Sequence, residues 1–113
     1  MDATNKLNAF LGMLEQGQDG PLLRYSIGLE YLHNEDPERA AEHLRQCLEQ
    51  DPAYSAAYKA LAEAEDTLGA AEACRATLER GIAHAEERGD LQAKKEMEVF
   101  LKRLDKGKPL RNR

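Results

Sequence analysis

The chain repeats itself at an offset of 34 residues, and this property constrains its fold more than any other. Ile27 falls on Leu61, Gly28 on Ala62, Ala40 on Cys74, Leu44 on Leu78, Cys47 on Gly81 and Leu48 on Ile82. Small residues recur on small ones, and large apolar residues on large apolar ones. A period between about 20 and 50 residues marks an array in which each unit hides its apolar face against the next. Carried one period back, Phe10, Met13 and Leu14 fall on Leu44, Cys47 and Leu48. Residues 1–20 therefore read as the second half of a truncated unit, a helix that caps the array.

Inside each unit the apolar spacing is helical. Leu23, Ile27 and Tyr31 stand four apart, and Ala40, Leu44, Cys47 and Leu48 form an i, i+4, i+7, i+8 stripe. Asp36-Pro37 separates the two helices, because Asp caps a helix start and Pro suits the first helical position, where no N–H is needed. Asp51-Pro52 repeats that signal before the second unit, whose helices carry Ala57, Leu61 and Leu68, then Cys74, Leu78 and Ile82. Gly69 is placed to close the first of these, and Gly89-Asp90 marks the third boundary. Met97, Phe100, Leu101 and Leu104 give a last amphipathic helix, with Lys94/Glu98 and Glu98/Lys102 as i, i+4 pairs on its outer side. The expectation is an all-α chain, an α–α superhelix of about six helices with no strand. Its parts are an N-terminal capping helix (1–20), two repeats (21–54 and 55–88), a C-terminal capping helix (89–105) and a basic, flexible tail (106–113).

Size and charge narrow the function. A chain of 113 residues, 42% hydrophobic and 33% charged, makes one small domain with one core and little room for a deep interior pocket. No apolar run approaches the roughly 18 to 20 residues that span a bilayer, and no signal segment is apparent. Two cysteines without a Cys-x-x-Cys motif point to a reducing cytoplasm. The net charge of -5 divides into -10 over the first 101 residues and +5 over the last twelve. An acidic body argues against nucleic acid, which needs a clustered positive face. The basic tail suits a helix C-terminus followed by solvated chain, and leaves contact with an anionic partner open.

Catalytic and metal chemistry find no constellation. No two of His33, His43 and His84 share the i, i+4 spacing that sets two ligands on one helix face. His43 and His84 read as surface or helix-edge residues, and Cys47 and Cys74 as small hydrophobes where helices cross. Glu35-Asp36, Glu63 with Asp66, and Glu86-Glu87 read as solvated acidic faces. Gly107-Lys108 lacks the rest of a phosphate-binding loop. No catalytic residue, metal or cofactor is expected.

A 34-residue helix–turn–helix with small residues at repeat positions 8, 20 and 27, large apolar ones at 7, 11 and 24, and Pro at 32 resembles the tetratricopeptide repeat. Residues 21–54 carry Ile27-Gly28, Tyr31, Ala40, Leu44, Cys47 and Asp51-Pro52 at the signature places, with Arg24 where the family favours Trp. Residues 55–88 carry Tyr58, Leu61-Ala62, Gly69, Cys74, Leu78 and Gly81, but Glu65 replaces an aromatic and Glu86 the Pro. Lys95 and Glu96 occupy the apolar-small pair of the last helix, so it resembles the solvating helix that ends such arrays. The whole chain resembles small stand-alone two-repeat bacterial proteins of this family.

That resemblance implies a concave face lined by the first helix of each repeat. The positions concerned are Leu22, Tyr25, Leu29, Leu32 and His33, then Ala56, Lys59, Glu63, Asp66 and Thr67. Of these, Leu22, Tyr25, Leu29, His33, Lys59, Glu63 and Asp66 are the candidate partner-binding residues. One wall is apolar and aromatic and the other mostly acidic, which suits a segment with an apolar anchor and a basic flank. An alternative stays open at this point: the N-terminal helix, through Leu7, Phe10, Leu11 and Leu14, covers the groove itself. Tyr25 and Leu29 stand where carboxylate-clamp repeats place Lys and Asn, which argues against capture of a chaperone tail. The expected function is a non-catalytic interaction module that docks a protein or peptide segment. Alternatives are a weak homodimer that completes the solenoid, and a basic-tail contact with an anionic partner.

Overall fold

A computed structural model describes residues 3–111. Its helices are α1 (Ala3–Glu15), α2 (Pro21–His33), α3 (Pro37–Gln50), α4 (Ser55–Thr67), α5 (Ala71–Arg88) and α6 (Leu91–Asp105). No strand occurs among the described residues. Each helix packs on its neighbour in the chain, and α2 also meets α4 and α4 meets α6. These contacts place α2, α4 and α6 side by side as one layer, with α3 and α5 behind it. The chain is an all-α solenoid.

The helix starts follow from capping chemistry. Asp36 accepts the N–H of Arg39 at 3.2 Å with Pro37 in the first turn, and Asp90 accepts that of Ala93 at 3.1 Å. Asp51-Pro52 works differently from the start signal expected of it. Asp51 closes α3, and its carboxylate accepts the N–H of Ala53 at 3.1 Å, so a turn intervenes and α4 begins only at Ser55. Gly69 and Gly89 end their helices with φ of +77° and +74°, a conformation that costs other residues a steric clash at Cβ.

The residues paired at the 34-residue offset form the interior. Ile27, Leu44, Cys47, Cys74 and Leu78 are fully buried together with Tyr58 and Met97. Helices cross closely where side chains are missing: a Cβ on Gly28 would lie 2.6 Å from Leu44 Cγ. At two of the positions that depart from the family pattern, Arg24 and Glu65, charge is matched locally. Arg24 donates twice to Asp19 at 2.8 Å, which holds the Asp19 carboxyl well below the usual carboxylate range. Glu65 is buried, accepting from Thr77 Oγ1 at 2.6 Å and from Arg45 at 3.4 Å, so a hydrogen-bonded carboxylate takes the place of an aromatic ring.

Candidate functional site

Where α2, α4 and α6 lie side by side they enclose an open groove of about 450 Å³. Tyr25 and Leu29, one helical turn apart on α2, form its apolar wall. Ala56, Lys59, Ala60 and Glu63 of α4 make the floor, and Glu96 and Phe100 of α6 close the far side. Tyr25 is held by Tyr54, whose ring centre lies 5.1 Å from its own at an angle of 40°. Burial raises the Tyr25 hydroxyl above its ordinary value, so it stays a neutral donor and acceptor.

The charges in the groove are unequally matched. Lys59 Nζ pairs with Glu96, which also accepts from Gln92 at 3.0 Å, and these bonds hold the Glu96 carboxyl below its ordinary value. Glu63 sits half-buried one turn along α4, and burial pushes its carboxyl up. A carboxylate in that position gains from a cation brought by a ligand. The arrangement supplies rings, an apolar side chain and excess negative charge.

The sequence-derived candidates divide. Tyr25, Leu29, Lys59 and Glu63 line one groove, together with Ala56. Leu22 does not join them: it is 67% exposed and borders a second, apolar pocket with Phe10 and Met13 between α1 and α2. Leu32 is buried in the core. His33 is exposed at the end of α2, 4.0 Å from Glu30, and Asp66 accepts the backbone N–H of Leu110 at 3.0 Å. Helix α1 packs on α2 alone among the described helices and contributes nothing to the groove lining. The N-terminal helix therefore leaves Tyr25 and Leu29 uncovered.

Three lining residues lie outside the concave set expected from the sequence: Ala60 of α4, and Glu96 and Phe100 of α6. Carried forward by 34 residues, the concave place of Asp66 falls on Phe100, a usable signal; Glu96 falls on the interior place of Ala62, which gives none. In α6 the buried face is carried by Ala93 and Met97 instead, and Glu96 is left to pair with Lys59. The tail also departs from the expectation of solvated chain, since Leu110 is buried against the core. His43 and His84 are half-buried, within the helix-edge reading, and stack on Tyr31 and Tyr58 at 5.5 Å and 5.7 Å. Cys47 and Cys74 are free and fully buried, and burial pushes their thiols up to about 11 and about 12. They are thiols at neutral pH and poor nucleophiles. Among the described residues no three His, Cys, Asp or Glu side chains cluster as metal ligands, and no helix is long and apolar enough to cross a membrane.

Paired helices stacked so that alternate ones share a concave layer define a helical-repeat protein. A family model described as tetratricopeptide repeat matches residues 31–97. The chain is 49% identical over 96 residues to TPR repeat-containing protein PA0015 of Pseudomonas aeruginosa, a span of 85% of this chain and 91% of that protein. It is also similar to protein BPP2914 from Bordetella parapertussis, whose solution structure matches with a TM-score of 0.79 at 40% identity, covering 89% of this chain and 88% of that one. The chain belongs to the tetratricopeptide repeat family. Repeats of this family are in general non-catalytic modules that mediate protein–protein interaction.

Proposed function

We propose that the protein is a non-enzymatic adaptor that docks a segment of a partner protein in the groove between α2, α4 and α6. The observation that carries this reading is the convergence of Tyr25, Leu29 and Phe100 with the half-buried Glu63 on one open concavity. The segment that fits brings an apolar anchor for Tyr25, Leu29 and Phe100 and a Lys or Arg for Glu63. A cytoplasmic setting accords with the two free, buried thiols. Tyr25 and Leu29 are only partly buried at the margin of the core, so truncating them leaves its fully buried side chains in place. The Tyr25→Ala/Leu29→Ala double variant is expected to retain its helical circular dichroism while losing partner capture by about a thousandfold, the scale of two hot-spot side chains at about 2 kcal/mol each. Undiminished capture by the folded double variant overturns the reading.

A second reading is self-association. Leu22 and Met13, 67% and 39% exposed, border an apolar pocket at the open edge of the array, and a symmetric pairing of α1–α2 edges would cover it. Light scattering over a concentration series is then expected to show the mass rising toward twice 12.7 kDa, and Leu22→Asp to abolish the rise. A constant monomer mass removes this reading.

A further inference from the structure

One stretch of the chain already lies beside the concave face. After α6 ends at Asp105, Gly107 turns the backbone with φ of +71°, and the chain runs back toward α4. Arg103 fixes that return by donating twice to the carbonyl of Pro109, at 3.0 and 2.8 Å. Leu110 then donates its N–H to Asp66 Oδ2 at 3.0 Å, and its side chain is 4% exposed. The next residue, Arg111, sits where its charge favours ionisation of Glu63, one turn before Asp66 on α4. Closing α6 requires only the turn at Gly107. Beyond that turn, Leu110 engages α4 and the core through a main-chain hydrogen bond and a buried apolar side chain, and Arg111 adds a positive charge on the side of Glu63.

Those three elements are the ones by which a surface recognises an extended peptide. We propose that Glu63 and Asp66 form a subsite for an extended segment bearing leucine followed by a basic residue, that residues 109–111 fill it in cis, and that a partner segment of the same chemistry docks by displacing them. This deepens the groove reading and rests on it, because Glu63 belongs to both the groove and the subsite. Charge supports the assignment: the last twelve residues carry +5 against -10 on the rest of the chain. A tethered segment also competes at an effective concentration in the millimolar range, so a weak contact in cis holds the subsite closed until a better ligand arrives.

The test uses the full ¹⁵N-labelled chain and, as probe, an unlabelled synthetic peptide of residues 106–113. In Leu110→Ser the tail loses its anchor, and the peptide is expected to shift the amide resonances of Glu63 and Asp66 saturably. In the unsubstituted chain the same titration is expected to need at least tenfold more peptide, because the tail competes. A peptide with its leucine replaced by serine is expected to give no shifts in either chain. Absence of shifts at Glu63 and Asp66 in folded Leu110→Ser overturns the proposal, as do equal titrations in the two chains. Where Leu110→Ser melts without cooperativity, Arg103→Ala, which removes both hydrogen bonds to Pro109, undergoes the same titration with the same expectations. Shifts confined to Tyr25 and Leu29 overturn the subsite and leave the groove standing. The groove fails separately, through unaltered capture by Tyr25→Ala/Leu29→Ala.

Discussion

Replacing Tyr58 with alanine is expected to destabilise the protein by about 3–5 kcal/mol, the range for deleting a buried aromatic side chain. Tyr58 is fully buried, stacks on His84 at 5.7 Å and 20°, and donates from its hydroxyl to the carbonyl of Pro52 at 2.6 Å. The guanidinium of Arg80 also lies over its ring, 5.8 Å from the centre. One side chain thus joins α4 to α5 and to the turn that precedes α4. Native domains hold only about 5–15 kcal/mol in all, so the alanine variant loses a large share of its stability. Its melting temperature is expected to fall by roughly 15 °C or more, whereas Tyr58→Phe, which keeps the ring and loses one hydrogen bond, costs about 1 kcal/mol. A urea midpoint for Tyr58→Ala equivalent to a loss of under about 1 kcal/mol would contradict the packing of α4 on α5.

The second large effect is expected at Gly81, on the opposite side of the same contact. A Cβ there would stand 2.5 Å from Met97 Sδ, 2.8 Å from Tyr58 Cβ and 2.9 Å from Tyr58 Cγ. Met97 has rotatable bonds and can yield. Tyr58 Cβ is fixed to the backbone of α4, so any side chain on Gly81 drives α5 away from α4. Gly81→Val, which adds two methyl groups beyond that Cβ, is expected to cost about 3 kcal/mol through overpacking. Gly12 in α1 supplies the contrast. Nothing lies within 4 Å of a Cβ built there, and Gly12→Ala is expected to raise stability by about 0.5–1 kcal/mol through helix propensity. Thermal melts of the two variants should therefore move in opposite directions; a neutral Gly81→Val would mean that α4 and α5 do not meet at this point.

The interior was legible in the sequence because a repeat writes its core locally. Leu44 and Leu78, or Ala40 and Cys74, recur at a fixed offset in the same surroundings, and each member of both pairs is fully buried. Capping was legible where one residue decides it, as at Asp36 and Asp90, and less so at Asp51, where the side chain turned out to serve a turn. The groove was legible on the α2 and α4 walls, since both repeats present the same helix face. It was not legible on the α6 wall. Periodicity gives the apolar stripe of α6 but not the angle at which that stripe meets α4, and the Lys59–Glu96 pair depends on that angle. Leu22 shows a related limit: its concave place is occupied in the pattern, yet at the array edge no preceding repeat orients it, and it faces α1 instead. Leu110 carried no periodic signal at all, a single apolar residue in a basic run whose partner Asp66 lies 44 positions away.

Helix α4 touches four others, α2, α3, α5 and α6, whereas α1 touches only α2. Loss of α1 removes one interface, but displacement of α4 dismantles both layers at once. The side chains that floor the groove, Lys59 and Glu63, are mounted on this same helix. Any ligand that grips them is therefore thermodynamically linked to unfolding of the whole molecule rather than to fraying of an edge. At a free concentration a hundred times its Kd such a ligand adds about 2.7 kcal/mol to the folded state. A partner thereby becomes detectable without a functional assay, by the upward displacement of the thermal transition.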